Sequence, residues 1–175
     1  MKKKVIYVTT VGDTPLAVTN SFWCSVRDDK LPVYKVFLLC SRDDERRGIK
    51  GTFKHFRELR ESLLRVAERL GLPLSKEDIS CIIVEEENPI SVYSSIKEIY
   101  LKWSDGYELC VDITGGRKTM SSGALLFARD YGARCYYFWL FDPRRNRDKS
   151  LDQMAENRDY ELVRVHEIWK GKNLL

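Results

Sequence analysis

What most constrains this chain is an alternation of two periodicities. Short β-branched, apolar runs give way to longer amphipathic stretches and return, again and again, along the sequence. KVIYVTT (4–10) reads as a buried strand. DTPLAVTNSFWCSVRDD (13–29) opens with capping residues and Pro15, then places Leu16, Thr19, Trp23 and Val26 at helical spacing. VYKVFLLC (33–40) is a second strand, and SRDDERRGIKG (41–51) a charged loop.

In TFKHFRELRESLLRVAERLG, Phe56, Leu59, Leu63, Val66 and Leu70 form one stripe and Gly71 ends the helix. Its other face holds Arg57, Glu61, Arg65 and Arg69, a solvated face with helical ion pairs. ISCIIVEEE (79–87) is a third strand. Asn88 caps the next helix, with Pro89 in its first turn and Val92, Ile96, Ile99 and Trp103 as its buried stripe. YELCVDIT (107–114) is a fourth strand. The helix from Lys118 to Tyr131 carries Met120, Ala124, Phe127 and Tyr131 on one side. ARCYYFWLF (133–141) is a fifth strand, DPRRNRDKSLDQMAENRD (142–159) a loop or flap, and YELVRVHEIW (160–169) a last strand at an edge. Strands alternating with helices specify an α/β fold: a Rossmann-like, mostly parallel sheet of about six strands with helices on both faces. With no repeat and no change of composition, residues 1–175 read as one domain.

Such a sheet binds ligands outside the carboxyl ends of its strands, near a topological switch point. That directs attention to Thr9, Thr10, Gly12, Asp13 and Thr14 after the first strand, and Ser41 and Arg42 after the second. Glu86, Glu87 and Asn88 follow the third. Thr114, Gly115, Gly116, Arg117 and Lys118 follow the fourth, and Asp142 to Arg145 the fifth. Two of these turns suit an anion; the one after the first strand supplies hydroxyls and Gly12 at a helix start. Gly115 and Gly116 allow close approach, the helix behind them offers free N–H groups, and Arg117 and Lys118 add charge. The same glycines also suit a purely mechanical role, a sharp turn from strand into helix.

Several chemistries drop out. There is no GxxxxGK[ST] and no GxGxxG after the first strand, which argues against a P-loop and against a nicotinamide or flavin cofactor. The five cysteines have no CxxC spacing and only two histidines exist, so no zinc site is expected; the cysteines read as small buried hydrophobes. His55 and His166 read as structural, and no Ser–His–Asp set or carboxylate cluster stands out. Tyr136, Tyr137 and Trp139 alternate along a strand, which points to core and interface packing. The formal net charge of +4 permits a nucleotide partner without demanding one. No apolar run is long enough to span a bilayer, the apolar stretch behind the N-terminal lysines is too short for a secretory signal, and no basic recognition helix for DNA is evident. A cytoplasmic protein without membrane or direct DNA contacts is expected.

VDITGGRKTMSSGALLFARDYGARCYYF, together with VIYVTTVGDTPLAVTNSF, resembles the CRISPR-associated Rossmann fold, or CARF, family. Asp112, Thr114, Gly115, Gly116, Lys118 and Met120 match the family's D-x-T-G-G-x-K-x-M pattern. The resemblance implies a homodimer that binds a cyclic oligoadenylate, cyclic tetra-adenylate first, on its two-fold axis, in the signalling of type III CRISPR antiviral defence. With no appended effector evident in the sequence, it further implies a ring nuclease that cuts this messenger without metal or cofactor, using the ribose 2′-OH. In that scheme Lys118, Arg117 and Thr10 are catalytic. Thr9, Gly12, Asp13, Thr14, Ser41, Arg42, Thr114, Gly115, Gly116, Thr119, Arg144 and Lys170 contact the ligand. Arg144, Lys170 or Lys172 assists the leaving group, and the 142–159 flap closes over the ring. The alternative within the same resemblance is a sensor that binds the ring, leaves it intact and regulates a partner protein.

Overall fold

A computed structural model describes residues 3–146 and 149–170. The strands are β1 (Lys4–Thr10), β2 (Val33–Cys40), β3 (Ile79–Ile83), β4 (Tyr107–Asp112), β5 (Arg134–Leu140) and β6 (Tyr160–Arg164). The helices are α1 (Pro15–Asp29), α2 (Phe56–Arg69), α3 (Pro89–Trp103), α4 (Lys118–Asp130), α5 (Leu151–Glu156) and α6 (His166–Trp169). The strands form one sheet in the order β3-β2-β1-β4-β5-β6, parallel except for β6, which pairs antiparallel with β5. This is the doubly wound α/β arrangement that the alternation of periods specifies.

The central strand β1 is buried on both sides, as its unbroken apolar run requires. Val5 and Tyr7 face a core shared with Phe22 and Trp23 of α1 and Leu59 and Leu63 of α2. Ile6 and Val8 face the opposite core, built with Ile96 of α3 and Met120, Ala124 and Phe127 of α4. The first two crossovers therefore run over one face. After β3 the chain crosses back over the other face through α3 and re-enters the sheet as β4, beside β1. That reversal opens the sheet's crevice between the carboxyl ends of β1 and β4, where Thr9 stands opposite Asp112.

Three expected boundaries are corrected. The third strand stops at Ile83 rather than running to residue 87, because Val84 makes the last backbone bond to Cys40 and the Glu85–Glu87 run turns away. The last strand stops at Arg164, and the helix α6 follows, seating His166 against the backbone of Cys135. The 142–159 segment contains a helix, α5, held by a capping box between Ser150 and Gln153 and anchored by buried Met154. Of the residues at helical spacing in α1, Thr19, Trp23 and Val26 are buried and Leu16 is 60% exposed. The cysteines among these elements are free thiols, buried except for half-buried Cys81. Among the described residues no helix is long and apolar enough to cross a membrane.

Candidate functional site

The crevice is organised around a buried carboxylate. Asp112, fully buried at the end of β4, accepts hydrogen bonds from the hydroxyls of Thr9 (2.8 Å), Ser21 (2.9 Å) and Thr114 (2.6 Å) and from the Thr114 backbone N–H (3.0 Å). Burial pushes its pKa up, against the opposing pull of these hydrogen bonds. Thr114 in turn accepts from the backbone N–H of Phe138 on β5 (2.8 Å). One carboxylate thus ties β1, α1, the turn after β4 and β5 together.

Above it the two glycine turns interlock. The Thr10 hydroxyl donates to the Gly115 carbonyl at 2.5 Å, and Ser121 of α4 donates to the same oxygen at 3.1 Å. A Cβ on Gly115 would overlap the Thr10 carbonyl oxygen, and one on Gly12 would lie 2.8 Å from the Gly116 nitrogen. Gly116 also has φ +81°, which an L side chain rarely adopts. The turns therefore meet backbone to backbone, and the glycines of both are required by that contact. The mechanical role left open by the sequence is real.

The charges sit on this platform. Lys118 is exposed at the first position of α4 and enters no ion pair among the described residues; no side chain caps the helix, leaving its first N–H groups open. Arg117 is half exposed, with its Nε 3.0 Å from the Glu86 carboxylate. Glu86 itself is buried and accepts from the Ser41 hydroxyl at 2.7 Å, and its backbone carbonyl accepts from the Thr119 hydroxyl. Glu86 was not among the predicted contacts, although it lies in the turn after β3. It joins the turns after β2, β3 and β4, and it aims Arg117.

The predicted contacts accordingly separate. The structure gathers Gly12, Thr114, Gly115, Gly116, Arg117, Lys118 and Thr119 at the crevice, with exposed Asp13 and Thr14 at the start of α1. Thr9 and Thr10 are there too, but each is 1% exposed with its hydroxyl committed inside the protein. Ser41 is likewise buried, bonded to Glu86 and Thr52. Arg42 is exposed beside a cavity of about 700 Å³ whose wall includes Asp43, Asp44, Glu45 and Glu85–Glu87, an acidic setting. Arg144 is exposed beyond β5, where Asp142 accepts the backbone N–H of residue 144. Lys170 is not brought to the crevice: antiparallel β6 carries the chain back toward the amino end of β5, and α6 docks there. Lys172 lies outside the described residues.

A second cavity, of about 640 Å³, begins where Thr14 and Thr114 line it and extends between α1, β5 and α5. Leu16, Phe138, Leu140, Leu151 and Met154 form apolar walls, which explains the exposed Leu16. No local motif marks it, because its residues come from separate elements. Chemically, the crevice offers fixed backbone dipoles and two cations to an anion, beside an apolar recess.

No family model matches the sequence, and none of the curated proteins does. Solved structures do match in fold. One is Can2 from Sulfobacillus thermosulfidooxidans in complex with cyclic tetra-adenylate, at TM-score 0.51 and 17% identity, covering 80% of this chain and 32% of that one. Another is Enterococcus italicus Csm6 bound to cyclic hexa-2′-fluoro-hexa-dAMP, at TM-score 0.62 and 12% identity, covering 97% of this chain and 44% of that one. The chain thus spans about a third of Can2 and under half of Csm6. At these identities the likeness is one of fold alone.

Proposed function

We propose that this chain, CARF-like in its fold, binds a cyclic oligoadenylate, cyclic tetra-adenylate first, across the two-fold axis of a homodimer. The observation that carries the reading is the interlocked pair of turns at the switch point, presenting the open N-terminus of α4 with Lys118 and Arg117. Two structures of the same fold hold cyclic oligoadenylates, which supports the ligand class. An isologous dimer would offer two copies of each cation to one ring, whose own symmetry matches. Backbone N–H groups and cations arranged around phosphates give salt-sensitive binding.

Cutting is the further step of this proposal. The ribose 2′-oxygen attacks the adjacent phosphorus and loses its proton. The phosphorus–5′-oxygen bond breaks and the leaving 5′-oxygen takes up a proton. One such cut opens the ring to linear tetra-adenylate; a second at the opposite linkage gives two linear di-adenylates, each ending in a 2′,3′-cyclic phosphate. The protein's part is to hold the attacking and leaving oxygens in line and to stabilise the crowded, charged phosphorus, the role of Lys118 and the Glu86-aimed Arg117. Thr10 serves this site by holding the turn. Switching off a type III CRISPR response would be the outcome.

One observation favours the second reading, a sensor that leaves the ring intact and regulates a partner. The hydroxyls of Thr9 and Thr10 are engaged within the protein, and Lys170 lies away from the crevice, so the binding apparatus is more complete than the cutting apparatus. Incubating the protein with labelled cyclic tetra-adenylate in EDTA decides between them. Di-adenylate with a cyclic phosphate, formed over time, establishes the metal-independent nuclease. Tight binding with the ring intact makes the protein a sensor. Neither binding nor cutting overturns the ligand assignment.

A further inference from the structure

The two faces of β5 are covered unequally. Tyr136, Phe138 and Leu140 face the core shared with α1 and α2, and Cys135 faces the opposite core with α4. Tyr137 and Trp139 therefore stand on the α4 side of the sheet. Phe141, whose backbone N–H continues the ladder by donating to Asp159, follows them, and its ring meets that of Trp139 edge to face at 5.4 Å. On this side α6 covers only the start of the strand, where His166 meets the backbone of Cys135, and α5 packs on the other face. No described element covers the rest: Tyr137 is 40% exposed and Trp139 and Phe141 are each 52% exposed. Beside them on β6, Val163 stands opposite Tyr137 and Glu161 opposite Trp139. A strand face open to water is normally polar. Here it is aromatic. At about 150–250 Å² per aromatic side chain, the three rings leave roughly 300 Å² exposed, the size of patch that is often functional.

We infer that this aromatic face of β5 is the surface through which two copies of the chain pair, with Trp139 and Phe141 at its centre. The inference rests on the two-fold reading above and deepens it by naming the partner surface. One crevice offers one Lys118 and one Arg117 to a ring of phosphates, so the proposed site is incomplete without a second copy. That copy must pair beside the crevice for both sets of cations to reach one ring. The stripe lies there: the backbone N–H of Phe138 donates to Thr114, the residue before the glycine turn, and Trp139 and Phe141 come next along the strand. The recess on the opposite face cannot fill a copy of itself, whereas a bare sheet face can stack on its own two-fold image. A standard interface takes about 800 Å² from each partner, with aromatic residues at its centre and a polar rim. The stripe supplies that centre. The outer surface of α4, where Leu126 is 43% exposed, and the turns at the crevice supply the rim.

Sedimentation of the ligand-free protein tests this. The wild type should be a dimer at micromolar concentration, and Lys118→Ala should remain one. Trp139→Glu and Phe141→Glu should each raise the dimer dissociation constant at least about 30-fold. Both side chains are half exposed, so the far-UV circular dichroism of the variants should match the wild type. Each should also lose affinity for cyclic tetra-adenylate although every cation is still present. Hydroxyl-radical footprinting of the wild type needs no variant, and it decides alone if the Glu variants do not fold. Trp139 and Phe141 should be labelled less in the dimer than in the monomer reached by dilution. A wild type that is monomeric at tens of micromolar, a dimer that both folded Glu variants leave intact, or labelling equal in monomer and dimer overturns the interface. A protein that dimerises through this face and yet binds no cyclic oligoadenylate keeps the interface and sinks only the ligand reading.

Discussion

The two sides of the sheet's carboxyl end are built in opposite ways. At the switch point the turns after β1 and β4 touch through their backbones, and the residues there are glycines and small hydroxyls bonded to one another. Beside β5 the recess is lined by residues of α1, β5, α5 and the loops that join them, drawn from distant parts of the chain. In the first, the hydroxyls of Thr10 and Ser121 pair with the backbone of the facing turn. In the second, apolar walls stand beside Thr14, Thr114, Lys149 and Ser150. A backbone-built platform and a recess between elements are different constructions: oriented dipoles suit an anion, shape with a few polar groups suits an apolar surface.

The largest way to break this contrast is to place a methyl group where the backbones meet. Gly115→Ala should destabilise the fold by about 3 kcal/mol, since its Cβ meets the Thr10 carbonyl in a contact that cannot move without displacing β1. Urea unfolding measures this. A loss under about 0.5 kcal/mol would show that the turns are not locked together.

Arg117 and Lys118, neighbours in sequence, should separate next. Arg117→Ala leaves the Glu86 carboxylate buried without its cation and should cost about 1–2 kcal/mol of stability as well as affinity; the arginine is half exposed, which limits the loss. Lys118→Ala should leave stability within about 0.5 kcal/mol while weakening ring binding about tenfold and flattening its salt dependence. Equal stability of the two variants would remove Glu86 from its assigned part.

The smallest effect is in pH dependence, and it has opposite signs in two places. Burial raises the Asp112 pKa, so the folded state holds its proton to higher pH than the unfolded chain does. Its contribution is full below the unfolded pKa and is lost as pH rises through the raised folded value. Asp29, at the end of α1 near β6, is the reverse. Burial works to raise its pKa, but hydrogen bonds from Arg164 and Tyr136 outweigh that and hold it below the usual value. Its contribution is present above the unfolded pKa and is lost as pH falls through the lowered one. Stability differences between wild type and Asp112→Asn, and between wild type and Asp29→Asn, measured against pH, should therefore slope in opposite directions. Parallel slopes would sink the assignment.

The alternation of periods was enough by itself to determine a mostly parallel α/β sheet, because β1 could read as an unbroken apolar run only if helices covered both its faces. The glycine turn with its two cations was legible for a similar reason: backbone contact and charge each restrict residue type at adjacent positions. The polar ends of elements were less so. The Glu85–Glu87 run and the 142–159 segment carry few apolar residues, and where they turn or coil is decided by Val84 bonding to Cys40 and by Met154 finding the core. Only the tertiary structure could show that Thr9, Thr10 and Ser41 turn their hydroxyls inward, since the residues they bond lie far along the chain. The same holds for Glu86, which meets Arg117 across the crevice, and for Leu16 and Met154, which share a recess across more than half the sequence. Local pattern records what the backbone needs next to itself; contacts between distant side chains leave no period to read.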